Sequence, residues 1–476
     1  MEPIAAKTLL AGLTPAERIP DGQTVALVTT DSRAAAPGCV FVAFPGEHFD
    51  GHDFAAKAVA AGAAWVVLNR PVEGVPEDKT ILCPDSYRAM MQMGANYRAQ
   101  FSPKVIGVTG SVGKTTTKEF CAAALAGLGP TIKTEGNQNN ELGLPRTLFQ
   151  IGADTRYAVL EMGMNHAGEI SRLSRCAKPD IGIITCIGLS HIGNLGSREN
   201  ICKAKLEICD GMPAGAPLIL NYDDEYLRKA QLPAHVRPVW YSMTSQEADV
   251  CASAIRQEDD GMSFLIDDAE NGCFMVHIPA LGRHNVANAL AAYCAAIQAG
   301  LEPRDAIKQM KEFRQTGMRQ LILDSHGVKI IEDCYNANPT SMQAALAMFK
   351  DYPCKRRFAV LADMLELGDE GRAEHEALGR LVAQSGVDVL ITYGELARRT
   401  ATVAAAKGVR TIHANNYDEI AAFLAKVTAP GDAVLFKGSR AMELEHAVEK
   451  MRALQDAAAQ AEDQAEDRND QDDRRE

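Results

Sequence analysis

Residues 107–116 read Gly-Val-Thr-Gly-Ser-Val-Gly-Lys-Thr-Thr, and this stretch decides the fold predicted for the chain. A short apolar run, Val105–Val108, leads into it, and a helix-like segment from Glu119 to Leu125 follows. In such a strand–turn–helix unit, glycines let backbone N–H groups converge on phosphate oxygens, and the helix N-terminus favours negative charge. The stretch therefore predicts a phosphate-binding loop within an α/β domain.

The loop departs from the common template G-x-x-x-x-G-K-[ST], because position 108 is valine and Gly107 lies one residue too far upstream. The alternative is an ordinary glycine-rich turn. The Gly-Lys-Thr-Thr sequence and the apolar strand before it favour nucleotide binding, with Lys114 on the β- and γ-phosphates and Thr115 on Mg²⁺. We therefore expect ATP and Mg²⁺ as cofactors. The predicted nucleotide-binding residues of the loop are Gly110, Ser111, Val112, Gly113, Lys114, Thr115 and Thr116.

Short apolar runs alternate with helix-length segments along most of the chain, which is typical of α/β domains with parallel sheets. We predict a small N-terminal α/β domain over residues 1–100, a central P-loop ATPase-like parallel-sheet domain over 101–316 and a C-terminal Rossmann-like domain over 317–455. Residues 456–476 contain no large apolar residue, so we expect a disordered acidic tail. The predicted strands are Thr24–Thr29, Val40–Phe44, Trp65–Leu68, Val105–Val108, Ala158–Leu160, Ile181–Thr185, Leu218–Leu220, Val328–Ile331, Phe358–Leu361, Val387–Thr392 and Ala433–Phe436.

The composition excludes several classes of protein. The 476 residues include 62 acidic and 49 basic side chains, a formal charge of −13, and no Lys/Arg-rich block, so we expect no nucleic-acid partner. No basic segment leads into an apolar stretch at the N-terminus, and no apolar run is long enough to span a bilayer. We expect a cytoplasmic monomer without membrane insertion. The twelve scattered cysteines form no C-x-x-C pair, which predicts reduced thiols rather than a zinc site.

Four segments carry a resemblance to a known family. Residues 109–116 match the pattern T-G-x-x-G-K-T-[ST], residues 139–145 read Asn-Asn-Glu-Leu-Gly-Leu-Pro, residues 160–170 read Leu-Glu-Met-Gly-Met-Asn-His-Ala-Gly-Glu-Ile, and residues 335–342 read Tyr-Asn-Ala-Asn-Pro-Thr-Ser-Met. With these segments, nearly the whole chain resembles the Mur ligases, and most closely those that add D-alanyl-D-alanine. The D-N-P-R and E-V-S-S-H motifs of the diaminopimelate-adding relatives are absent, which disfavours that branch.

The resemblance implies an ADP-forming ligase of peptidoglycan synthesis. In the implied reaction, the carboxylate of UDP-N-acetylmuramoyl-tripeptide attacks the γ-phosphate of ATP, and the amine of D-alanyl-D-alanine then displaces phosphate from the resulting acyl phosphate. A related Mur-type or folylpolyglutamate-type amino-acid ligase is the first alternative. The second alternative is a P-loop switch without ligase chemistry, which leaves the N-terminal domain and the segment around Arg319 without a role.

Glu161 and His191 are the predicted metal ligands beside Thr115. Glu161 follows an apolar strand and His191 follows the apolar run Ile181–Ile187, at the sheet edge where ligands bind in α/β domains. The resemblance assigns Glu161 to Mg²⁺, and the neutral imidazole of His191 can join it as a ligand and catalytic group. Without the resemblance, such a Glu is more often a solvated or helix-capping carboxylate, and a lone His is as readily structural.

Lys205 aligns with the Mur-ligase lysine that can carry a carbamate formed with CO₂. Carbamylation turns a cation into a metal-binding anion, so Lys205 is a predicted catalytic residue and, if carbamylated, a metal ligand. A lysine in this Ala-Lys-Leu-Glu segment is otherwise a solvated residue on a helix face. Its neighbour Lys203 serves as a comparison, because the resemblance gives it no role.

Three further residues are predicted nucleotide contacts. Asn288 lies in residues 281–289, which resemble the family's base-binding segment, and its amide can pair with adenine, with helix capping as the alternative. Arg319 resembles the arginine that reaches the γ-phosphate after domain closure, and it is a predicted catalytic residue together with Lys114. Asp333 matches the family's ribose-binding acid, although an Asp that ends a strand and starts a turn is a serious alternative.

The predicted substrate contacts lie in the two outer domains. Two segments within residues 30–52 resemble those that hold the UDP end of the precursor, which makes the N-terminal domain the predicted precursor-binding domain. Ser32 and Arg33 are the predicted contacts, because an Arg fork suits a pyrophosphate, although a surface turn is the alternative. Asn336 and Asn338 are predicted near ATP and the incoming dipeptide, although Asn-Ala-Asn-Pro also simply favours a loop.

Overall fold

The computed structural model describes residues 1–46, 49–258, 260–315 and 317–473. The strands are β1 (Ile4–Ala5), β2 (Thr24–Val25), β3 (Val28–Thr29), β4 (Val40–Val42), β5 (Trp65–Leu68), β6 (Thr80–Leu82), β7 (Lys104–Thr109), β8 (Thr131–Lys133), β9 (Tyr157–Glu161), β10 (Ile181–Ile184), β11 (Ala216–Asn221), β12 (Val236–Ser242), β13 (Val250–Gln257), β14 (Met262–Asp268), β15 (Gly272–Ile278), β16 (Leu321–Ser325), β17 (Val328–Asp333), β18 (Arg357–Ala362), β19 (Val389–Tyr393), β20 (Arg410–Ala414) and β21 (Ala433–Lys437).

The α-helices are α1 (Ala6–Leu9), α2 (Ala55–Ala60), α3 (Ser86–Arg98), α4 (Lys114–Ala126), α5 (Gly143–Leu148), α6 (Glu169–Ala177), α7 (Ile192–Leu195), α8 (Arg198–Leu206), α9 (Glu225–Lys229), α10 (Arg283–Ala299), α11 (Pro303–Met310), α12 (Pro339–Asp351), α13 (Gly371–Val382), α14 (Ala397–Ala406), α15 (Tyr417–Val427) and α16 (Glu445–Asp473). Short 3₁₀ helices are Ala16–Arg18, Ser32–Ala34, Gly51–Phe54, Glu77–Lys79, Glu207–Gly211, Gly368–Glu370 and Arg440–Met442.

Each of the three large sheets takes its strands from one predicted range. Strands β3, β4, β5 and β6 form a parallel sheet within residues 1–100, beside the short antiparallel pair β1–β2. The central sheet has the order β15-β14-β13-β12-β11-β10-β7-β9-β8 within residues 101–316, and the C-terminal sheet has the order β16-β17-β21-β18-β19-β20 within residues 317–455. The predicted α/β fold class is confirmed, and every predicted strand overlaps an observed one.

Strands β7, β9 and β10 are the part of the central sheet that positions the site. Strand β7 lies between the other two and runs parallel to both, so their carboxyl ends meet at one edge. Successive side chains of β7 pack on opposite faces, with Val105 in one apolar core and Ile106 and Val108 in another. Burial of each such side chain stabilises the fold by about 1.5–3 kcal/mol.

The central sheet extends further than the sequence predicted, because no strands were expected between Leu220 and Gly317. Strand β12 continues the parallel part beside β11, and β13, β14 and β15 add an antiparallel extension. Along Met262–Asp268 buried positions alternate with half-buried ones, as in a strand with one solvated face. This alternation is a weaker sequence signal than the continuous apolar runs of the buried parallel strands.

The prediction of a disordered tail is wrong for residues 456–473, because helix α16 continues through them to Asp473. The helix is anchored on the C-terminal sheet by Ala447, Val448 and Met451, which are buried. Alanine, glutamine and glutamate beyond this anchor are strong helix formers, and extending an existing helix avoids the cost of nucleation. The absence of large apolar residues therefore excludes a core contribution but not a helix.

Each of the twelve cysteines has a free thiol, and eight of them are buried. Burial raises the pKa of the Cys121, Cys176 and Cys209 thiols, which keeps them protonated. The prediction of reduced, mostly buried thiols is confirmed. Within the described ranges, no helix combines the length and the apolar character needed to cross a bilayer.

Candidate active site

A cleft of about 410 Å³ lies between the carboxyl edge of the central sheet and residues of the C-terminal domain. It brings together most of the predicted site residues, although they come from distant parts of the sequence. Those that line it are Ser111, Val112, Gly113, Lys114, Thr115, Thr116, Glu161, His191, Lys205, Asn288, Arg319, Asp333, Asn336 and Asn338. Gly110 lies behind the lining, and the N-terminal pair Ser32 and Arg33 lies outside the cleft.

The loop between β7 and α4 depends on two glycines with positive φ, Gly110 at 149° and Gly113 at 87°. A Cβ at Gly110 would lie 1.8 Å from Oγ1 of Thr185, and one at Gly113 would lie 2.4 Å from the amide oxygen of Asn288. Only glycine fits either position. Gly107 belongs to β7 instead, which explains why the loop fails the usual glycine spacing.

Ser111 and Lys114 direct polar groups of the loop toward the cleft. Ser111 is buried, and its Oγ has no hydrogen-bond partner among the described residues. The Nζ atom of Lys114 donates to the carbonyl oxygen of Gly110 at 2.9 Å. Burial lowers the pKa of Lys114, while the nearby Glu161 carboxylate opposes that shift. An anion in the cleft would give the Ser111 hydroxyl an acceptor and Lys114 a counter-charge.

Thr115 and Glu161 form a buried pair of oxygen ligands. Oγ1 of Thr115 donates to Oε2 of Glu161 at 2.8 Å, and the side-chain amide of Asn139 donates to Oε1 at 2.8 Å. The backbone N–H of Glu161 donates to Oγ1 of Thr134 at 3.0 Å, which fixes the end of β9. Among the described residues, no Lys or Arg forms an ion pair with Glu161. Its carboxylate oxygens are therefore oriented by neutral donors, in an arrangement that suits a hard cation.

Burial shifts the protonation of both His191 and Lys205 toward their uncharged forms beside this pair. Burial lowers the pKa of His191 to about 4, with the charges of Lys114 and Lys205 adding to the effect, so its imidazole is neutral at physiological pH. Lys205 is 2% exposed, and burial followed by the charge of Lys114 lowers its pKa to about 7. In the described part of the chain no carboxylate pairs with Lys205. Both groups therefore retain nucleophilic or metal-binding lone pairs.

Asn288 lines the cleft and lies against the phosphate loop. Its Oδ1 accepts a hydrogen bond from Thr117 at 3.2 Å, and its Nδ2 donates to the amide oxygen of Asn285 at 3.0 Å. The amide of Asn285 in turn donates to Leu281 and Gln320. Both ends of the Asn288 amide are thus engaged by the protein, and these contacts point to a role in shaping the loop; adenine contact by Asn288 stays a prediction.

The C-terminal domain adds a second wall with its own charges. The guanidinium of Arg319 lies 3.8 Å from the ring centre of Tyr335, which orients it along the cleft. Nζ of Lys437 donates to Asp333 at 2.7 Å and to the carbonyl oxygen of Asn336 at 3.0 Å. The Lys437–Asp333 ion pair is almost completely shielded from solvent, so breaking it would leave a buried charge without a partner. The pair therefore holds the end of β17 in place.

Asn336 and Asn338 differ in what their side chains contact. Oδ1 of Asn336 accepts a hydrogen bond from the backbone N–H of Ala337 at 2.8 Å. Asn338 is the N-cap of α12, where its Oδ1 accepts from the backbone N–H of Ser341 at 2.9 Å. The Nδ2 atom of Asn338 crosses to the central domain and donates to Oγ of Ser190 at 2.8 Å. Substrate contact by either asparagine stays a prediction.

Ser32 and Arg33 form a local turn in the N-terminal domain. Arg33 is 83% exposed, and its guanidinium is bidentate to Asp31 at 2.7–3.1 Å. This pairing lowers the pKa of Asp31 to about 2. Arg146 of the central domain donates to Oγ1 of Thr30 at 2.5 Å, next to this turn. Of the predicted segment 46–52, residues 47 and 48 lie outside the described residues.

Sequence reasoning left several residues of the cleft without a role. Asn139 belongs to one of the segments that resemble the Mur ligases. Only the fold shows that it packs against Gly163, where a Cβ atom would lie 2.8 Å from the Asn139 amide oxygen. Lys437 could have been found as a charge that ends the apolar run of β21. The other cleft residues without a predicted role are Asn137, Asn140, Gly163, Met164, Asn165, Glu169, His284, Asn285, Gln315, Gln320, Tyr335, Ala344 and Glu366.

Comparison with family models covers all three sheets. Residues 24–98 match the model described as Mur ligase family, catalytic domain. Residues 108–296 match the Mur ligase middle domain, and residues 318–440 match the Mur ligase, glutamate ligase domain. The three matches follow one another in the order of the three large sheets.

Individual relatives match over most of their length. The UDP-N-acetylmuramoyl-tripeptide–D-alanyl-D-alanine ligase of Bacillus subtilis is 40% identical over 430 residues, 89% of this chain and 92% of that protein. The ligase of the same name from Escherichia coli is 34% identical, over 91% and 94% of the two chains. A crystal structure of MurF from Acinetobacter baumannii superposes with a TM-score of 0.85 at 32% identity, covering 95% and 99%. The crystal structure of MurF ligase from Thermotoga maritima in complex with ADP superposes with a TM-score of 0.81 at 28% identity, covering 90% of this chain and 98% of that one. The chain belongs to the Mur ligase family.

Proposed function

We propose that this chain is an ATP-dependent, ADP-forming ligase that joins D-alanyl-D-alanine to UDP-N-acetylmuramoyl-tripeptide, and that it works in the cytoplasm as a monomer. The observation that carries the proposal is the shared cleft. A phosphate loop, a buried pair of oxygen ligands and an arginine from another domain all line it. The names of the two relatives described above, which are 34–40% identical, support the choice of substrates.

The loop residues suit the triphosphate of ATP. Backbone N–H groups at the start of α4, the unpartnered hydroxyl of Ser111 and the ammonium group of Lys114 all present positive charge or donors to one region. Arg319 adds a delocalised cation from the opposite wall. Phosphoryl transfer needs mainly alignment and neutralisation of developing negative charge, and these groups supply both.

The donor set beside the loop fits Mg²⁺. Thr115 and Glu161 offer hard oxygen ligands within 2.8 Å of each other, and the neutral imidazole of His191 lines the same cleft. We propose that these three residues hold the ion. When bound there, Mg²⁺ neutralises charge on the phosphate oxygens.

Lys205 fits the proposal that it carries a carbamate. A pKa of about 7 gives the buried amine a large neutral fraction, which is the form that adds to CO₂. The N–C bond forms as the amine lone pair attacks CO₂, and one ammonium proton leaves to solvent. The product is an anion that lines the same cleft as the cations Lys114 and Arg319, and their positive charges favour it.

The two steps of the reaction use no covalent bond to the protein. The tripeptide carboxylate attacks the γ-phosphorus, and ADP leaves with the electron pair of the broken P–O bond. The dipeptide amine, after losing a proton, attacks the acyl carbon, and phosphate leaves as the C–O bond breaks. A water-poor cleft favours this second step, because the acyl phosphate is otherwise hydrolysed.

The proposal is tested by incubating the purified chain with ATP, Mg²⁺, the UDP-tripeptide and D-alanyl-D-alanine. We expect ADP release that requires both substrates, together with a product whose mass is that of the UDP-pentapeptide. Equal activity with a single free amino acid would favour another Mur-type or folylpolyglutamate-type ligase. ATP binding without any amide product would favour the nucleotide switch.

A further inference from the structure

Asn338 uses both ends of its side-chain amide within the protein. Its Oδ1 caps α12 through the N–H of Ser341 at 2.9 Å, and Oγ of Ser341 contacts the backbone N–H of Asn338 at 3.0 Å. Its Nδ2 donates to Oγ of Ser190 at 2.8 Å, although the two residues are 148 positions apart. The first pair of contacts fixes a helix end, whereas the last joins two domains.

Ser190 continues this connection to the phosphate loop. Its Oγ lies 3.4 Å from the carbonyl oxygen of Ser111, to which it donates. A chain of hydrogen bonds therefore runs from the N-terminus of α12 through Asn338 and Ser190 to the loop. The donor and acceptor directions are consistent, because the hydroxyl accepts from the amide and donates to the carbonyl.

The backbone packing at this place is equally close. A Cβ at Gly188 would lie 3.0 Å from Oγ1 of Thr340, in the first turn of α12, and 3.2 Å from Cβ of Ser111. The α12 N-terminus and the phosphate loop thus pack against the same glycine. A second contact follows three residues after Gly188, where the imidazole of His191 lies 3.5 Å from the Glu366 carboxylate.

Among the described residues, the other side-chain hydrogen bonds between these domains lie beside the covalent connection. Gln320 accepts from Asn285 at 3.2 Å, only a few residues after the central domain ends. A rotation of the C-terminal domain about that connection moves Gln320 little. Asn338 and Ser190 both lie outside the covalent connection and are 148 positions apart in the chain, so their bond depends on how the two domains dock.

We propose that Asn338 is a positioning residue that clasps the C-terminal domain onto the phosphate loop through Ser190. The clasp holds Tyr335, three residues before Asn338, at the cleft, and the ring of Tyr335 orients the Arg319 guanidinium at 3.8 Å. This inference therefore rests on the proposed function for the role of Arg319. This positioning role is the alternative to the predicted contact of Asn338 with ATP or the dipeptide, and the test below separates the two. The free energy of domain closure is then more favourable with nucleotide bound, because the nucleotide fixes the loop that carries the Ser111 carbonyl.

The test uses Asn338→Ser, since serine caps a helix well but is too short to reach Ser190 and has no amide donor. We expect kcat to fall by about threefold to tenfold, the scale of one lost hydrogen bond, while the Kd of a non-hydrolysable ATP analogue stays unchanged. Small-angle scattering with the analogue and the UDP-tripeptide should show a smaller contraction than in the unaltered chain. The double variant with Ser190→Ala should be no worse than either single variant.

Asn416→Ser is the matched control. Asn416 caps α15 in the same way, through the N–H of Glu419 at 2.9 Å, and its other side-chain contact is also with Glu419. We expect this variant to lose a similar amount of stability and to keep full closure and kcat. If Asn338→Ser behaves like Asn416→Ser, the clasp is wrong.

Two further outcomes separate the clasp from other roles. A raised KM for the dipeptide at unchanged kcat, with no effect of Ser190→Ala, would make Asn338 a substrate contact and overturn the proposal. Scattering needs no turnover, so it tests closure independently of the ligase reaction. Absence of an amide product from the unaltered chain would remove the proposed function, whereas unaltered contraction of Asn338→Ser would remove the clasp.

Discussion

The two walls of the cleft are built in different ways. On the central wall, Thr115 and Glu161 lie at a helix start and a strand end of one sheet, and a 2.8 Å hydrogen bond fixes them together. On the C-terminal wall, Arg319 and Glu366 lie on connecting segments, and Glu366 has a positive φ of 63°. The central wall is therefore complete within one domain, whereas the other wall acts only when the domains are closed.

Replacing Arg319 with alanine should have the largest effect, because it removes from the C-terminal wall the cation proposed to stabilise the transferring phosphoryl group and leaves the central wall intact. We expect kcat to fall by about 10³-fold, as for other arginines that stabilise a transferring phosphoryl group. The Kd of a non-hydrolysable ATP analogue, measured by calorimetry, should change little. Arg314→Ala is the control, since Arg314 is 74% exposed and pairs with Glu312. A loss confined to nucleotide affinity would contradict this division between the walls.

Lys205→Ala should lower kcat by about 10²-fold, the scale of losing one preorganised electrostatic group of the central wall. Lys203→Ala, on the exposed face of the same helix, should retain activity. The carbamate is checked separately by NMR of the unaltered chain in ¹³C-labelled bicarbonate, where we expect a carbamate signal that Lys205→Ala lacks. An unmodified Lys205 in the fully active chain would remove the carbamate proposal.

The segment that carries Glu366 should respond to acid through His375. The Nε2 atom of this fully buried imidazole accepts from the N–H of Met364 at 3.0 Å, and Nδ1 donates to Gly371 at 2.7 Å. Burial lowers the pKa of His375 below its ordinary value of 6.5. The unfolded chain therefore binds the proton first, so the stability contributed by the neutral ring is present above pH 6.5 and is lost as the pH falls below it.

Urea unfolding between pH 7.5 and pH 5 measures this effect. The free energy of unfolding should fall with acid in the unaltered chain, and His375→Gln should be less stable at pH 7.5 but should show a shallower decline. Parallel pH profiles for the two chains would show that His375 does not contribute to the acid sensitivity.

Arg33→Ala should have the smallest effect. The Arg33–Asp31 pair is exposed, and exposed ion pairs contribute little to stability because water screens their charges. We expect unchanged stability and kcat, with KM for the UDP-tripeptide raised by about twofold to fivefold through one weakened phosphate contact. Steady-state kinetics against UDP-tripeptide concentration checks this. A fall in kcat similar to that of Arg319→Ala would mean that the N-terminal turn takes part in the chemistry.

The contrast between the walls also explains what could be predicted from the sequence. Lys114, Thr115 and Glu161 end or follow apolar runs of one parallel sheet, and the carboxyl ends of such strands meet at one edge, so their proximity follows from local patterns. The contacts of Arg319 with Tyr335 and of Asn338 with Ser190 depend on how two domains dock. No local periodicity encodes that arrangement, and only the family resemblance placed Arg319 in the cleft.

The strength of the apolar pattern sets a second limit on which strands can be predicted from the sequence. The continuous apolar runs of the parallel strands were found, whereas the half-solvated strands β13–β15 were overlooked because their apolar residues alternate with polar ones. The interpretation of single residues also depends on their burial, which the sequence does not give. Lys205 is typical of a solvated helix face in the sequence, yet it is 2% exposed in the fold.

The most direct test of the account follows one oxygen atom. The UDP-tripeptide is prepared with ¹⁸O in the carboxylate that is to be joined, and the phosphate released during ligation to D-alanyl-D-alanine is analysed by mass spectrometry. If the two walls close around a phosphoryl transfer from ATP to that carboxylate, one ¹⁸O atom leaves with each phosphate as the amide forms. Released phosphate that carries no label would contradict the acyl-phosphate route and the role assigned to the cleft.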